Sequence, residues 1–91
     1  MAHVLITLKV MPSSPEADLK SIQSAVEKLI AEHSGKMHKC DVEPVAFGLK
    51  ALIFQFVLDE KLGSTEPLEE KISAVPEVES VMVTGVTRLL G

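Results

Sequence analysis

Few side chains in this chain are placed to do chemistry, and they stand mostly alone. Cys40 follows His38 by two residues on a strand-like run, a spacing that suggests a thiolate pair or part of a metal site. Two ligands do not fill the four-coordinate shell of zinc, and a chain with one cysteine has no Cys-x-x-Cys pair. We therefore interpret Cys40 as an ordinary strand residue and His38 as a solvent-facing one.

The remaining candidates for catalysis have structural interpretations. Ser13 and Ser14 precede a helical pattern, where a hydroxyl caps the first turn, so we interpret them as caps and not as nucleophiles. Glu66, Glu69 and Glu70 cluster on a solvated helix face, and the five glycines are scattered singly, with no Gly-rich phosphate loop. We predict that the protein is not an enzyme and uses no metal or cofactor.

Composition predicts one globular domain, residues 1–91, with a single core. A hydrophobic fraction of 46% and a charged fraction of 24% argue against disorder. No apolar run approaches the ~18 residues of a membrane span, and the first residues lack the features of a signal peptide. A lone cysteine suits a reducing compartment, so we expect a cytoplasmic protein without membrane contact.

The net charge of −4 is unevenly distributed. Residues 1–58 carry six basic and six acidic side chains, whereas residues 59–80 carry seven acidic side chains and two lysines. Arg88 is the only charged side chain in the last eleven residues. Because no basic patch is available to neutralise phosphates, we expect no direct nucleic-acid binding. The acidic region fits a basic protein partner and serves solubility equally well.

Two hydrophobic periodicities open the chain. The first alternates and predicts a strand, whose better-buried face holds Val4, Ile6, Leu8 and Val10. The second repeats at spacings of three and four and predicts a helix, whose stripe is Leu19, Ile22, Val26, Leu29 and Ile30. We expect Ser13 or Ser14 to cap this helix and Gly35 to end it.

Three more strands and a short helix complete the pattern. The polar run at residues 36–45 predicts an edge strand, and residues 49–58, apolar on both faces, predict a central one. A turn at residues 62–65 leads into the second helix, whose apolar residues are Leu68, Ile72 and Val75. The last strand is predicted at residues 78–88, with a bulge at Gly85.

The order βαββαβ predicts a ferredoxin-like two-layer α/β sandwich, an antiparallel sheet of order 4-1-3-2 with both helices on one face. This fold also hosts RNA-recognition motifs, which stack bases on aromatic side chains of the first and third strands. The first strand here has no aromatic residue. Phe54 and Phe56 lack the basic and glycine context of that motif, so we interpret them as core and reject RNA binding.

Two residues resist a purely structural interpretation. Phe47 lies on a turn bracketed by Pro44 and Gly48, and an exposed phenylalanine there would suggest a partner contact. It could equally fold back over the sheet end as a lid. Arg88 is either a solvated charge near the chain end or a functional cation. The residues alone leave both questions open.

The segment at residues 44–50, Pro-Val-Ala-Phe-Gly-Leu-Lys, resembles the matching loop of the translation elongation factor 1-beta family. Residues 4–11, 58–61 and 68–72 are similar to the short archaeal members, and the resemblance covers nearly the whole chain. It implies a guanine-nucleotide exchange factor for elongation factor 1-alpha, the GTPase that carries aminoacyl-tRNA to the ribosome. Such a factor speeds GDP release, so that GTP can rebind, without bond chemistry of its own.

The resemblance also implies site residues that bind the GTPase: Phe47, Gly48, Arg88 and Leu89. In eukaryotic members a C-terminal lysine reaches the Mg²⁺ region, and the matching residue here is Arg88, whose planar guanidinium differs from a compact ammonium. The strand order would separate Phe47 from Arg88 by about 30 Å, at opposite ends of the sheet. We therefore predict that the domain bridges two lobes of the GTPase, with Phe47 as anchor and Arg88 at the nucleotide site.

Two other functions fit the predicted fold. A small-ligand regulatory or protein-interaction domain of ferredoxin-like type usually dimerises through its edge strands, which the polar second strand disfavours, and we expect a monomer. An acylphosphatase-like enzyme would need an arginine in a phosphate cradle after the first strand, and residues 11–15 contain none.

Overall fold

A computed structural model describes residues 3–62 and 65–89 of the chain. Their main elements are β1 (His3–Pro12), α1 (Leu19–Glu32), β2 (Lys36–Pro44), β3 (Lys50–Asp59), α2 (Glu66–Ser73) and β4 (Val78–Leu89). Short 3₁₀ turns occur at Ala46–Gly48 and Glu60–Leu62. Gly63 and Ser64, in the turn predicted at residues 62–65, lie outside the described residues. No helix in the described ranges is long and apolar enough to cross a membrane.

The four strands form one antiparallel sheet in the order β2-β3-β1-β4, which confirms the predicted ferredoxin-like topology. The predicted boundaries of the second, third and fourth strands lie within one residue of the observed ones. Helix α2 ends at Ser73 and is therefore shorter than the predicted helix, whose apolar pattern extended to Val75. Val75 instead follows in the exit turn, where its backbone N–H donates to the Ile72 carbonyl oxygen at 3.0 Å.

Both helices pack on the same face of the sheet and close a single core. Successive strand residues point to opposite faces, so every second residue of β1 and β3 enters this core. Its fully buried members include Ile6, Leu8, Val10, Ile22, Val26, Ile30, Leu52, Phe54, Phe56, Leu58, Leu68 and Ile72. Phe54 and Phe56 are 0% exposed, which confirms their interpretation as core residues.

The predicted caps of α1, Ser13 and Ser14, are wrong: the helix begins at Leu19, and Asp18 is its N-cap. The Asp18 carboxylate accepts backbone N–H bonds from Lys20 and Ser21 at 3.1 and 3.2 Å. The backbone N–H of Ser13 donates instead to the Glu77 carbonyl oxygen at 2.7 Å. Residues 13–17 therefore form the connection between β1 and α1, and the helix begins only after this connection.

Helix α1 ends in a Schellman motif at the predicted place. Ser34 is the residue with the left-handed backbone (φ 65°), and the Gly35 N–H donates to the Ile30 carbonyl oxygen at 2.8 Å. Gly35 is needed for a different reason, because a Cβ there would lie 2.7 Å from Ile30 Cγ2. The close approach of the returning chain to the helix therefore requires the glycine.

The predicted bulge in the last strand is present beside Gly85. Thr7 pairs with Gly85 and Leu8 with Val83, so Thr84 is the extra residue of β4. The Thr84 hydroxyl donates to the Thr7 carbonyl oxygen at 3.4 Å. The extra residue shifts the register of β4 by one. Val83 on one side of the bulge and Val86 on the other therefore both pair with core-facing residues of β1, Leu8 and Ile6.

Candidate functional site

The turn between β2 and β3 presents Phe47 to solvent. Pro44 pairs with Lys50 at the end of the hairpin. The Val45 N–H then donates to the Leu49 carbonyl oxygen at 2.8 Å and closes the turn. Phe47 is 93% exposed, which rules out the alternative that it folds back over the sheet as a lid.

The backbone of this turn is left-handed at two consecutive residues. Phe47 has φ 62° and ψ 30°, and Gly48 has φ 76°. A left-handed conformation costs a non-glycine residue about 1–2 kcal/mol, whereas glycine adopts it freely. A Cβ at Gly48 would have Pro15 as its nearest neighbour, at 3.8 Å, so the backbone conformation and not lack of space favours glycine.

Arg88 lies near the end of β4, paired with Val4 of β1. Its Nη2 donates to Glu60 Oε2 at 3.1 Å and lies 3.0 Å from Oε1. Val4 also pairs with Leu58 of β3, so the arginine side chain reaches across β1 to the turn that follows β3. The two side chains are 65% and 43% exposed, and such an exposed pair contributes only about 0.2–1 kcal/mol.

Leu89, the next residue, is 37% exposed and pairs with His3. It lines a cleft of about 590 Å³ whose other walls include His3, Lys36, His38 and Asp59. On the helix-covered side of the same end, Val86 is 61% exposed and borders a second groove of about 390 Å³. The end of β4 therefore has both apolar and charged groups within reach of a partner.

The strand register puts Phe47 and Arg88 at opposite ends of the sheet, as predicted. Val10 near the end of β1 pairs with Leu52, just inside the hairpin that carries Phe47. Val4 near the start of β1 pairs with Arg88. The molecule is 42 Å in its longest dimension and 17 Å in its shortest, so one small surface patch cannot hold both side chains.

Two features of this site were not predicted from the sequence. Glu60 was named only within the segment at residues 58–61, and its contact with Arg88 depends on β3 and β4 flanking the same end of β1. The exposed apolar side chains Met82 and Val86 of β4 were also missed. The loose alternation around Gly85 was the available signal for them, because it marks a strand whose two faces are unevenly buried.

Cys40 and His38, interpreted from the sequence as ordinary strand and surface residues, have the burial expected of such residues. Cys40 is half-buried beneath α1, and burial, with smaller effects of Glu27 and Asp41, raises the pKa of its thiol to about 11. His38 is exposed, as expected. Within residues 3–62 and 65–89, no group of three or more His, Cys, Asp or Glu side chains is placed to hold a metal ion.

The acidic face of α2 is largely solvated, as interpreted. Glu66 and Glu70 are exposed, and the Glu69 carboxylate accepts a hydrogen bond from the Thr65 hydroxyl at 2.9 Å. Glu66 and Glu69 also line the 390 Å³ groove beside Val86. These carboxylates therefore contribute negative charge to the end of the molecule that carries Arg88.

Comparison with known proteins identifies the family. A family model described as the EF-1 guanine nucleotide exchange domain matches residues 5–89. The chain belongs to this family. Elongation factor 1-beta of Methanothermobacter thermautotrophicus is 41% identical over 90 residues, which are 99% of this chain and 100% of that protein. Elongation factor 1-beta of Methanosphaera stadtmanae is 42% identical with the same coverage. The resemblance to archaeal elongation factor 1-beta is thereby confirmed, and the chain is a guanine-nucleotide exchange domain.

Solved structures add support for the fold alone. The C-terminal domain of the MgtC protein from Mycobacterium tuberculosis has a TM-score of 0.63 at 14% identity, over 97% of this chain and 87% of that one. The ACT domain from GTP pyrophosphokinase of Chlorobium tepidum has a TM-score of 0.60 at 10% identity, over 87% of this chain and 95% of that one. At these identities the likeness does not favour a regulatory-domain function over the exchange function of the family.

Proposed function

We propose that the chain promotes GDP release from elongation factor 1-alpha, so that GTP can rebind, and that it performs no bond chemistry itself. The observation that carries this proposal is the match of residues 5–89 to the exchange-domain family, which covers both helices and all of the sheet except the first two residues of β1. We further infer that residues 1–91 act as one domain, as a monomer, in the cytoplasm where translation takes place.

Exchange is a shift of populations and needs differential binding. A factor accelerates GDP loss only if it binds the nucleotide-free or loosened GTPase better than the GDP-bound form. In GTPases of this class the phosphates and Mg²⁺ are held by a phosphate-binding loop and its ligands. A cation delivered to that place competes with the metal for the same anionic oxygens, provided that a separate contact holds the two proteins together.

Phe47 is proposed as the separate contact. Burial of one phenylalanine side chain contributes about 1.5–3 kcal/mol, and Phe47 has almost all of its surface available for this. The backbone hydrogen bonds that close the turn at Val45 and Leu49 hold the backbone of Phe47 in place before docking, so little ordering of the backbone is needed on binding. Gly48 is proposed to contribute through the left-handed backbone that aims the ring.

Arg88 and Leu89 are proposed to act at the other end. Arg88 is held on β4, a sheet strand, so its backbone position relative to Phe47 is set by the register. Leu89 offers an apolar contact at the same end of the strand, on the other face of the sheet. With the two ends separated along a 42 Å body, we propose that the domain bridges two lobes of the GTPase.

The test is release of a fluorescent GDP analogue from elongation factor 1-alpha of an archaeal relative, followed by stopped flow in excess unlabelled GDP. The proposal expects a release rate that rises with the concentration of the chain and saturates. Removal of Mg²⁺ by a chelator serves as a positive control for release. An unchanged rate at micromolar concentrations of the chain would rule the proposed function out.

A further inference from the structure

Glu60 is in direct contact with a residue proposed for the site, although nothing in the family resemblance assigns it a role. It is the first residue of the turn after β3, and the Lys61 N–H donates to Asp59 Oδ1 at 2.9 Å within that turn. Both carboxylate oxygens of Glu60 lie within 3.1 Å of Arg88 Nη2. The carboxylate therefore has a defined backbone position from which it holds the guanidinium.

This contact directs the Arg88 side chain across the surface of its own domain toward Glu60. Val4 is flanked by Leu58 and Arg88, so the arginine crosses β1 on the helix-covered side to reach Glu60. In that position the guanidinium lies against its own domain and its charge is matched by a carboxylate. Nη2, the nitrogen that contacts Glu60, becomes available to an acceptor on a partner only when this contact breaks.

The surroundings of the pair strengthen this competition. The groove beside Arg88 is bordered by Glu60, Glu66 and Glu69, and the apolar Val86 forms part of its wall. Phosphate oxygens carry more charge than a single carboxylate and accept guanidinium bonds in the same geometry. Transfer of Arg88 out of this acidic setting therefore needs a stronger acceptor than an ordinary surface carboxylate, and a phosphate group is such an acceptor.

We propose that Glu60 is a positioning residue that holds Arg88 in a withdrawn position, and that Arg88 accelerates exchange only after its guanidinium is transferred from Glu60 to the phosphate oxygens of the GTPase-bound nucleotide. The inference rests on the proposed function. In the docked complex Arg88 divides its time between the two positions, and only the second disturbs the nucleotide. Because an exposed pair is weak, Glu60 lowers the maximal exchange rate only about two- to fivefold.

The experiment compares wild type, Glu60→Gln, Arg88→Ala and the double variant in fluorescent GDP release, each titrated to saturation. Glu60→Gln is expected to raise the maximal rate about two- to fivefold and to leave the half-maximal concentration within about twofold of wild type. In the Arg88→Ala background the same substitution is expected to change neither. Glu70→Gln removes an equal charge from an exposed position on α2 and is the matched control. Circular dichroism melts establish that every variant is folded.

Three results would overturn the inference while leaving the proposed function intact. These are a maximal rate for Glu60→Gln at or below that of wild type, an increase that persists when Arg88 is alanine, and an equal increase with Glu70→Gln. The second and third would mean that Glu60 acts through general charge repulsion. If wild type itself fails to accelerate release, the proposed function and the inference fall together.

Discussion

Phe47 and Gly48 carry consecutive left-handed backbone conformations at the tip of the β2–β3 hairpin. Glycine adopts this conformation without penalty, but phenylalanine loses about 1–2 kcal/mol in it. The Phe47 ring is 93% exposed, so burial within the chain does not offset that cost. The residue is therefore unfavourable for the isolated domain, which is the pattern expected where a side chain is retained for a partner.

Phe47→Gly is expected to separate stability from function. It relieves the left-handed strain but adds freedom to the unfolded chain, so the free energy of unfolding should rise by about 0–1 kcal/mol in urea titrations. The same variant should need a higher concentration for half-maximal GDP release. Phe54→Ala, in the core, provides the contrast and should lose about 3–5 kcal/mol. A loss of more than about 1 kcal/mol for Phe47→Gly would show that the ring supports the fold.

Gly35→Ala and Gly85→Ala are expected to differ although both add one methyl group. A Cβ at Gly35 would lie 2.7 Å from Ile30 Cγ2 and 3.1 Å from Leu58 Cδ2, whereas a Cβ at Gly85 meets Thr7 at an ordinary 3.5 Å. Overpacking at Gly35 should lower the free energy of unfolding by about 1–3 kcal/mol. Urea denaturation of the two variants checks this, and equal stabilities would contradict the close approach seen at the end of α1.

The architecture was accessible from sequence because its signals are local. Alternation in residues 4–10, the three-and-four spacing from Leu19 to Ile30, and the apolar run at residues 49–58 each report their own element. The cap of α1 was not accessible in this way. Ser13 and Asp18 are both good cap types, and the choice between them depends on the hydrogen bond from Ser13 to Glu77, 64 residues away in the chain.

In the candidate site, too, local features were accessible from sequence and contacts between distant segments were not. The turn that carries Phe47 was accessible from sequence because an aromatic residue between Pro44 and Gly48 is unusual in itself, whereas the role of Phe47 and Gly48 in binding a GTPase was implied only by the family resemblance. The pairing of Arg88 with Glu60 joins residues that lie 28 positions apart and meet only because β1 lies between β3 and β4. Side-chain reach across a strand is a property of the assembled sheet, and no pattern within either segment reports it.

Asp18→Ala should destabilise the protein in a pH-dependent way. The pKa of the Asp18 carboxyl is held below its usual 3.8, chiefly because the Ser21 hydroxyl and then the Ser21 N–H donate to it. A carboxylate whose pKa is lowered by folding stabilises the fold above its unfolded pKa, and this contribution disappears as pH falls through the folded value. The difference in melting temperature between wild type and Asp18→Ala should therefore be constant near neutral pH and shrink below about pH 4.

Asp18→Asn is the control for this prediction. Asparagine is a good N-cap residue but does not titrate, so this variant should keep much of the cap at all pH values. The difference in melting temperature between wild type and Asp18→Asn should change on acidification in favour of Asp18→Asn, because only the wild-type cap is protonated. A gap between wild type and Asp18→Ala that grows on acidification would show that the sign assigned to Asp18 is wrong.

The Cys40 thiol should react slowly with alkylating reagents. The thiolate is the reactive form, and burial raises the pKa of this thiol to about 11 from an ordinary 9.0. At pH 7.5 the thiolate fraction is therefore roughly 100-fold lower than in an ordinary cysteine. Iodoacetamide labelling followed by mass spectrometry should show a rate that climbs with pH toward 11 and that approaches the value for free cysteine in urea. Rapid labelling of the folded protein at pH 7.5 would contradict the buried setting of Cys40.

The division of work between the two ends of the sheet is tested most directly by titrating Phe47→Ala and Arg88→Ala in the fluorescent GDP release assay. Phe47→Ala should raise the half-maximal concentration by about tenfold or more, as expected for loss of about 1.5–3 kcal/mol of burial, and keep the maximal rate. Arg88→Ala should lower the maximal rate and keep the half-maximal concentration within about twofold. If both variants change only the half-maximal concentration, or only the maximal rate, the two ends do not have separate roles and the account is contradicted.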